Sequence, residues 1–203
     1  MSVVWPVVTG IVALVPGLLL WHRVRQLENV SYRDYQTGLR NGRLVDDDLA
    51  LLGRTHTPIA LLLIDLDHFG RHNDFGYRER GDKALLVAAQ TIQRTLRRRA
   101  DRMYRMHTAG DEFLVLLSPR DYAHAFHDAE MVRLALEQAG VPASIGVAYL
   151  SNQAPGAHGP FTDALLETAT LNKSIAKRNG RNRVYPPSDG QPHIFVEGTL
   201  CTT

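Results

Sequence analysis

Cysteine is nearly missing from this 203-residue chain: Cys201 stands alone. A lone thiol excludes an intramolecular disulfide and a zinc-thiolate cluster, and it fits a reducing compartment. An excess of one charge is missing too, with 23 Lys and Arg against 21 Asp and Glu and a formal net charge of +2. That balance argues for no nucleic-acid partner, so the chemistry must lie in where individual charges sit. Internal repeats are absent. The length suits one well-buried domain with an appendage and is marginal for two.

A further absence is local. From Ser2 to Trp21 there is no charged residue, and Val, Ile, Leu, Ala and Trp dominate, close to the roughly 20 apolar residues that cross a bilayer. The cations follow, as His22, Arg23 and Arg25, while the positive leading region and small-residue cleavage site of a secretory signal are missing. Residues 1–22 are therefore expected to form one transmembrane helix, with Trp5 and Trp21 near the headgroups. Positive charge on the C-terminal flank puts the remainder in the cytoplasm, as a single-pass protein of the inner (cytoplasmic) membrane. Residues 23–33 read as a short connector helix, with Leu27 and Val30 as seam positions.

Ile59 to Ile64 is a continuous apolar run suited to a central strand buried on both faces, and it ends in Asp65-Leu66-Asp67. Acids at the edge of a core must pair, hydrogen-bond or bind a metal. Two apart on an extended chain, they point to one side. Asp65 is expected to serve a metal and Asp67 to cap the following helix. Met103, Tyr104 and Met106, then Phe113 to Leu117, read as a hairpin around the turn at Thr108-Ala109-Gly110-Asp111-Glu112. If the two strands are neighbours, Asp65 with Asp111 or Glu112 makes a hard-oxygen Mg²⁺ site. Helices are expected over 44–52, 81–99, 121–139 and 161–177, a strand over 143–150, a polar loop over 34–43, and a loop-like tail, 186–203, with a short strand at 194–196. This alternation indicates an α/β (α+β) sandwich, helices covering a central mixed sheet.

Several separated motifs then occur in order. Asp34, Thr37-Gly38-Leu39, Asn41 and Arg43 open the domain, followed by Asp65-Leu66-Asp67-His68-Phe69, Asn73-Asp74, Gly76 and Gly81-Asp82. After them come Ala109-Gly110-Asp111-Glu112-Phe113, Ser144-Ile145-Gly146-Val147-Ala148, and Ala176-Lys177 with Gly180-Arg181-Asn182. Together they resemble the GGDEF-type diguanylate cyclase family over the domain 34–185. The resemblance implies a palm-like nucleotidyl cyclase domain that condenses two GTP into cyclic di-GMP, one GTP per subunit of a homodimer, with two Mg²⁺ (or Mn²⁺) ions per active site.

Residue by residue, it implies that Asp65, the Leu66 carbonyl, Asp111 and Glu112 hold metal. Asp111 and Glu112 would be the catalytic pair, either of them a ligand or the base for the attacking hydroxyl. Backbone amides around Phe69, Gly110, Lys177 and Arg181 would receive phosphates. From residue type alone, Lys177 and Arg181 are equally a solvated basic helix end, on one side if the last helical turn persists. Asp82 and Asn73 would read guanine; without the resemblance Asp82 is an acid near a helix N-terminus. Arg98 and Asp101 match a product-inhibition site, or else end one helix and start one strand.

The chain departs from the family at Gln36, where leucine is usual, and at Ala109, Gly70 and Tyr77, where glycine, lysine and histidine are usual. Lys173-Ser174 stands where Leu-Tyr is usual, so the local packing of the closing helix does not follow from the resemblance. His107-Thr108 are two extra residues before the signature, a number that preserves face parity in the hairpin. A catalytically weak GTP- or cyclic-dinucleotide-binding module, and a cyclase with a different nucleotide product, are the competing functions.

Overall fold

The structure is a computed structural model, and it describes residues 32–55, 57–70, 78–96, 101–106, 110–150, 160–186, 194–196 and 199–201. The expected anchor 1–22 and most of the connector 23–33 lie outside these residues, as do Asn73, Tyr77, Arg98 and 107–109. Among the described residues, no helix is long and apolar enough to cross a membrane. Arg33, at the end of the expected connector helix, instead forms an isolated bridge to Arg40.

Six strands make the main sheet: Arg40–Asn41 (β1), Ile59–Leu66 (β2), Arg102–Arg105 (β3), Glu112–Leu117 (β4), Ala143–Leu150 (β5) and Val184–Tyr185 (β6). Their spatial order is β1-β3-β4-β2-β5-β6. The two edge strands run parallel to their neighbours and the inner pairs are antiparallel, so the sheet is mixed. All residues of β2 are buried, as an uninterrupted apolar run at the centre of a sheet demands. The strand continues through Asp65, paired with Glu112 and Ser144 on its two sides, and Leu66, paired with Ala143.

Among the described residues four α-helices cover the sheet: Val45–Gly53 (α1), Arg78–Thr95 (α2), Tyr122–Gln138 (α3) and Pro160–Arg178 (α4). The period of two along β2 sorts the core. Ala60, Leu62 and Ile64 pack with Leu85, Ile92, Ala129 and Val132 of α2 and α3. Ile59, Leu61 and Leu63 pack with Val45, Leu49, Leu165 and Ala169 of α1 and α4. Each fully buried Leu or Ile contributes roughly 1.5–3 kcal/mol, so this two-sided burial fixes the register of the sheet.

Three expectations shift. The polar loop 34–43 contains β1, whose edge pairing with β3 leaves no hydrophobic signature in two residues. α2 begins at Arg78, before its apolar face does, because Arg78, Glu79 and Arg80 are polar, and it ends at Thr95 rather than 99. The tail holds two short strands, Ile194–Val196 (β7) and Thr199–Cys201 (β8), paired antiparallel. Asp48 of α1 pins the β1–β3 edge: it accepts from Tyr104 Oη at 2.6 Å, lies 2.8 Å from Arg40 and pairs with Arg102.

Candidate active site

Strand parity brings two acids to one face. On β2 the residues at 59, 61 and 63 face α1 and α4, and Asp65 continues that row. On β4, Leu114 and Leu116 face the same helices, and Glu112 continues theirs. Asp65 and Glu112 are direct cross-strand partners, an arrangement in which like charges repel unless something compensates. α4 supplies the compensation through Lys173 and Lys177, one helical turn apart. Lys177 Nζ lies 2.5 Å from Asp65 Oδ1. Lys173 Nζ lies 3.3 Å from Asp65 Oδ2 and hydrogen-bonds Glu112 Oε1. Burial alone would lower the Lys173 pKa, but the Glu112 and Asp65 carboxylates outweigh it and hold the ammonium above its ordinary value.

The signature turn is clamped from inside. Arg105 is buried, donates to the carbonyls of Gly110 and, at 3.3 Å, Glu112, and stacks 5.0 Å from the Phe113 ring. Gly110 thus turns its carbonyl to protein. The Leu66 N–H donates to the Asp111 carbonyl at 3.3 Å, tying the turn to the end of β2. Burial, and then the neighbouring Asp65, push the Asp111 carboxyl above its usual value, with Lys177 opposing.

The donor chemistry suits a hard divalent cation: anionic oxygens at the edge of a core. Asp65 Oδ1 is buried and receives no hydrogen bond, Lys177 lying beside it off the line of one. An oxygen left over in this way is what a cation would use. Yet among the described residues no three of His, Cys, Asp and Glu stand close enough together to hold an ion. The cation that the two acids do hold between them is Lys173, whose ammonium touches both Asp65 and Glu112.

Two expected roles change. Among the described residues the Asp67 carboxylate serves no helix end; it accepts from Ser144 Oγ and from the Asn182 N–H, each at 2.8 Å, joining β2, β5 and the turn after α4. Lys177 and Arg181 do not share a last helical turn. α4 stops at Arg178, and Gly180 and Arg181 adopt φ of 110° and 63°. The Arg181 N–H returns to the Ala176 carbonyl and that of Gly180 to Lys177, a glycine-terminated helix end. Arg181 nonetheless reaches Asp67 at 4.0 Å, so both cations approach the end of β2. Phe69 is buried in the core beside α2. Asp82 Oδ1 accepts from Gln36 Nε2 at 2.6 Å, so the opening loop holds the acid expected to read guanine. Asn73 and Arg98 lie outside the described residues.

Asp101 precedes β3, whose register places Arg102 opposite Leu116, roughly 13 Å along β4 from Glu112. It lines a groove with Arg33, Arg40 and Arg102. Both its carboxylate oxygens are buried without a hydrogen-bond partner among the described residues. Burial, then the charge of Asp128, push its pKa up from 3.8 to about 6. A raised carboxylate pKa makes the folded state lose stability as pH rises from near 4 to near 6. Asp101→Asn is therefore expected to raise Tm at pH 7, by the equivalent of about 1 kcal/mol once solvent screening is allowed for, and to leave it unchanged at pH 4. Equal shifts at both pH values would disprove this origin.

Sequence reasoning missed Lys173, Arg105 and Gln36. Lys173 had one available signal, a charge at a position where the resemblance calls for leucine. Arg105 had none, since a buried guanidinium looks like any polar strand residue.

Over residues 31–183 the sequence matches the family described as diguanylate cyclase, GGDEF domain. It is 31% identical over 159 residues to the diguanylate cyclase DosC of Escherichia coli K12, covering 74% of this chain and 34% of that protein. It is 29% identical over 182 residues to an uncharacterized membrane protein of Staphylococcus aureus USA300, covering 81% of this chain and 49% of the relative. The chain thus spans between a third and a half of the curated relatives it matches. The coiled coil and GGDEF domain of DgcB from Caulobacter crescentus, solved with c-di-GMP, superposes with a TM-score of 0.74 at 23% identity, covering 85% of this chain and 94% of that one, a likeness of fold alone. The diguanylate cyclase SiaD of Pseudomonas aeruginosa, solved with its activator SiaC, gives 0.66 at 25% identity, covering 87% and 69%.

Proposed function

Because the chain belongs to the diguanylate cyclase GGDEF domain family, we propose that it condenses two GTP molecules into cyclic di-GMP and releases two pyrophosphates. It would act as a homodimer anchored in the inner membrane through residues 1–22, with the domain in the cytoplasm. The observation that carries the chemistry is the cross-strand pair Asp65–Glu112, with Asp111 beside it and Lys177 facing it. Likeness to a Staphylococcus aureus protein named as a membrane protein supports the anchor.

Each subunit holds one GTP, and the 3′-hydroxyl of one nucleotide attacks the α-phosphate of the other in line, so positioning is most of the protein's task. Asp65, Asp111, Glu112 and the Leu66 carbonyl would hold Mg²⁺ or Mn²⁺, which supplies charge stabilisation at the phosphoryl group. Glu112 or Asp111 accepts the hydroxyl proton. Lys177, a third exposed at its side chain, can exchange Asp65 for a phosphate, and Arg181 adds a second cation from its turn. Asp82 accepts the N1–H and 2-amino hydrogens of guanine, a pattern adenine lacks. Gln36 holds its carboxylate in place. Arg98 and Asp101 would bind product and restrain turnover.

Lys173 favours a second function, a weakly active regulatory module that binds GTP or cyclic dinucleotide, because an ammonium already neutralises the acids. The full chain in lipid vesicles, incubated with GTP, ATP and Mg²⁺ or Mn²⁺, separates the two by mass spectrometry of the products. Cyclic di-GMP is expected. GTP bound without product would replace the cyclase by the regulatory module, and an adenine-containing product would replace it by a cyclase of other base choice.

A further inference from the structure

Lys173 lies on α4 where a leucine is expected from the family resemblance, and it is among the few buried charged residues of those described. Its ammonium touches Asp65 Oδ2 and Glu112 Oε1, one oxygen from each member of the cross-strand pair. We propose that Lys173 is a resident cation of the carboxylate site, standing where a divalent ion would bridge Asp65 and Glu112, so that the site takes one divalent ion instead of two. This rests on the assignment of those carboxylates to metal under the proposed function.

Space is the first reason. Mg²⁺ holds its oxygens at roughly 2.1 Å and tolerates little distortion, and an ion bridging these two oxygens needs the position that Nζ fills. Charge is the second. An ammonium is a compact point charge, and one in contact with both carboxylates weakens their attraction for a dication. The third reason is that Lys173 has no easy exit. Long charged side chains at a surface turn their heads to water, but the Lys173 side chain is only 11% exposed. Its backbone is pressed onto β5, with its N and Cα 2.4 and 3.0 Å from where a Cβ on Gly146 would stand. The preceding residue is anchored as well, Asn172 Nδ2 donating to the Val147 carbonyl at 2.7 Å. Lys177 differs: its ammonium lies 2.5 Å from Asp65 Oδ1, but its side chain is 34% exposed and can turn its head to water. Asp65 Oδ1 and Asp111 are then left for the single ion.

The test is Mn²⁺ titration of the full chain in vesicles, followed by electron paramagnetic resonance, for the parent, Lys173→Met, Lys173→Gln and Lys173→Arg. Methionine keeps the bulk without the charge, and glutamine covers the case in which methionine does not fold. The parent and the Arg variant are expected to bind one Mn²⁺ per domain. The Met or Gln variant is expected to bind two, or to bind the first about tenfold more tightly or better. Two ions on the parent would overturn the proposal without reference to any variant, as would a Met or Gln variant with parental stoichiometry and affinity, or the absence of Mn²⁺ binding in all forms. Because the readout is binding, it is separable from turnover. A chain that makes no cyclic di-GMP yet gains an ion in Lys173→Met refutes the cyclase and leaves the resident cation standing.

Discussion

Asp111→Asn is expected to lower cyclic di-GMP formation by about 10²–10³-fold or more, the usual effect of removing a charge-stabilising group from a reacting centre, while leaving the protein at least as stable as the parent. The two halves of that outcome come from the same geometry. Asp111 is partly buried beside Asp65, and both burial and that like charge push its carboxyl up. A group held above its ordinary pKa contributes instability that grows as pH rises through the range between its unfolded and folded values, so at neutral pH the ionised Asp111 is a cost to the fold. Asparagine keeps the shape and removes the charge. The backbone link from the Leu66 N–H to the Asp111 carbonyl is indifferent to the side chain and remains. Initial rates with GTP, together with thermal melts at pH 7, measure both halves. Undiminished turnover would remove Asp111 from the metal-binding and catalytic set. Loss of turnover accompanied by a fall in Tm would mean that the residue acts on the fold.

The inner strands were legible because burial leaves apolar runs, and the turn marked the β3–β4 hairpin, whereas the β2–β4 neighbourhood stood only as a condition until the pairing supplied it. With those in place, counting by twos from Leu63 and Leu114 delivers Asp65 and Glu112 to one face. What stayed illegible depends on distance in sequence. Lys173 reads as an ordinary polar position on an amphipathic helix, and only the approach of α4 to β5 converts it into a buried counter-charge. Asp67 reads as a cap because a cap is its nearest local use, whereas its partners, Ser144 and Asn182, are 77 and 115 residues away. Lys177 and Arg181 share a side only if the last helical turn persists, and Gly180 with the left-handed residues after it ends that turn. Ala109 and the His107-Thr108 insertion fall outside the described residues, although Arg105 still pairs with Phe113 and the Met106 N–H still reaches the Glu112 carbonyl, so the strands flanking the turn keep their register.

Gly146→Ala is expected to be the most damaging single methyl in the domain. Gly146 pairs with Leu63 on one side and Tyr185 on the other, at the middle of β5. A Cβ there would stand 2.1 Å from the Ala169 carbonyl oxygen and 2.4 Å from the Lys173 nitrogen. Both are backbone atoms of α4, so no side-chain rotation relieves the clash and the helix itself must move away from the sheet. Overpacking a core costs typically 1–3 kcal/mol, and a backbone clash belongs at the upper end, about 3 kcal/mol, against a total stability on the order of 5–15 kcal/mol. Gly70, which has open space where its Cβ would be, is the control: Gly70→Ala should leave the urea midpoint near the parental value while Gly146→Ala lowers it clearly. Equal midpoints would show that α4 has room to spare. The displacement also has a chemical consequence. Lys173 and Lys177 ride on the same stretch of α4, so a retreat of the helix draws both ammoniums from Asp65 and Glu112, leaving two acids side by side with less compensation. The Gly146→Ala protein that remains folded should therefore bind Mn²⁺ more tightly than the parent, even as its stability falls; weaker binding would mean that the helix holds the acids in place for the metal and does not compete with it.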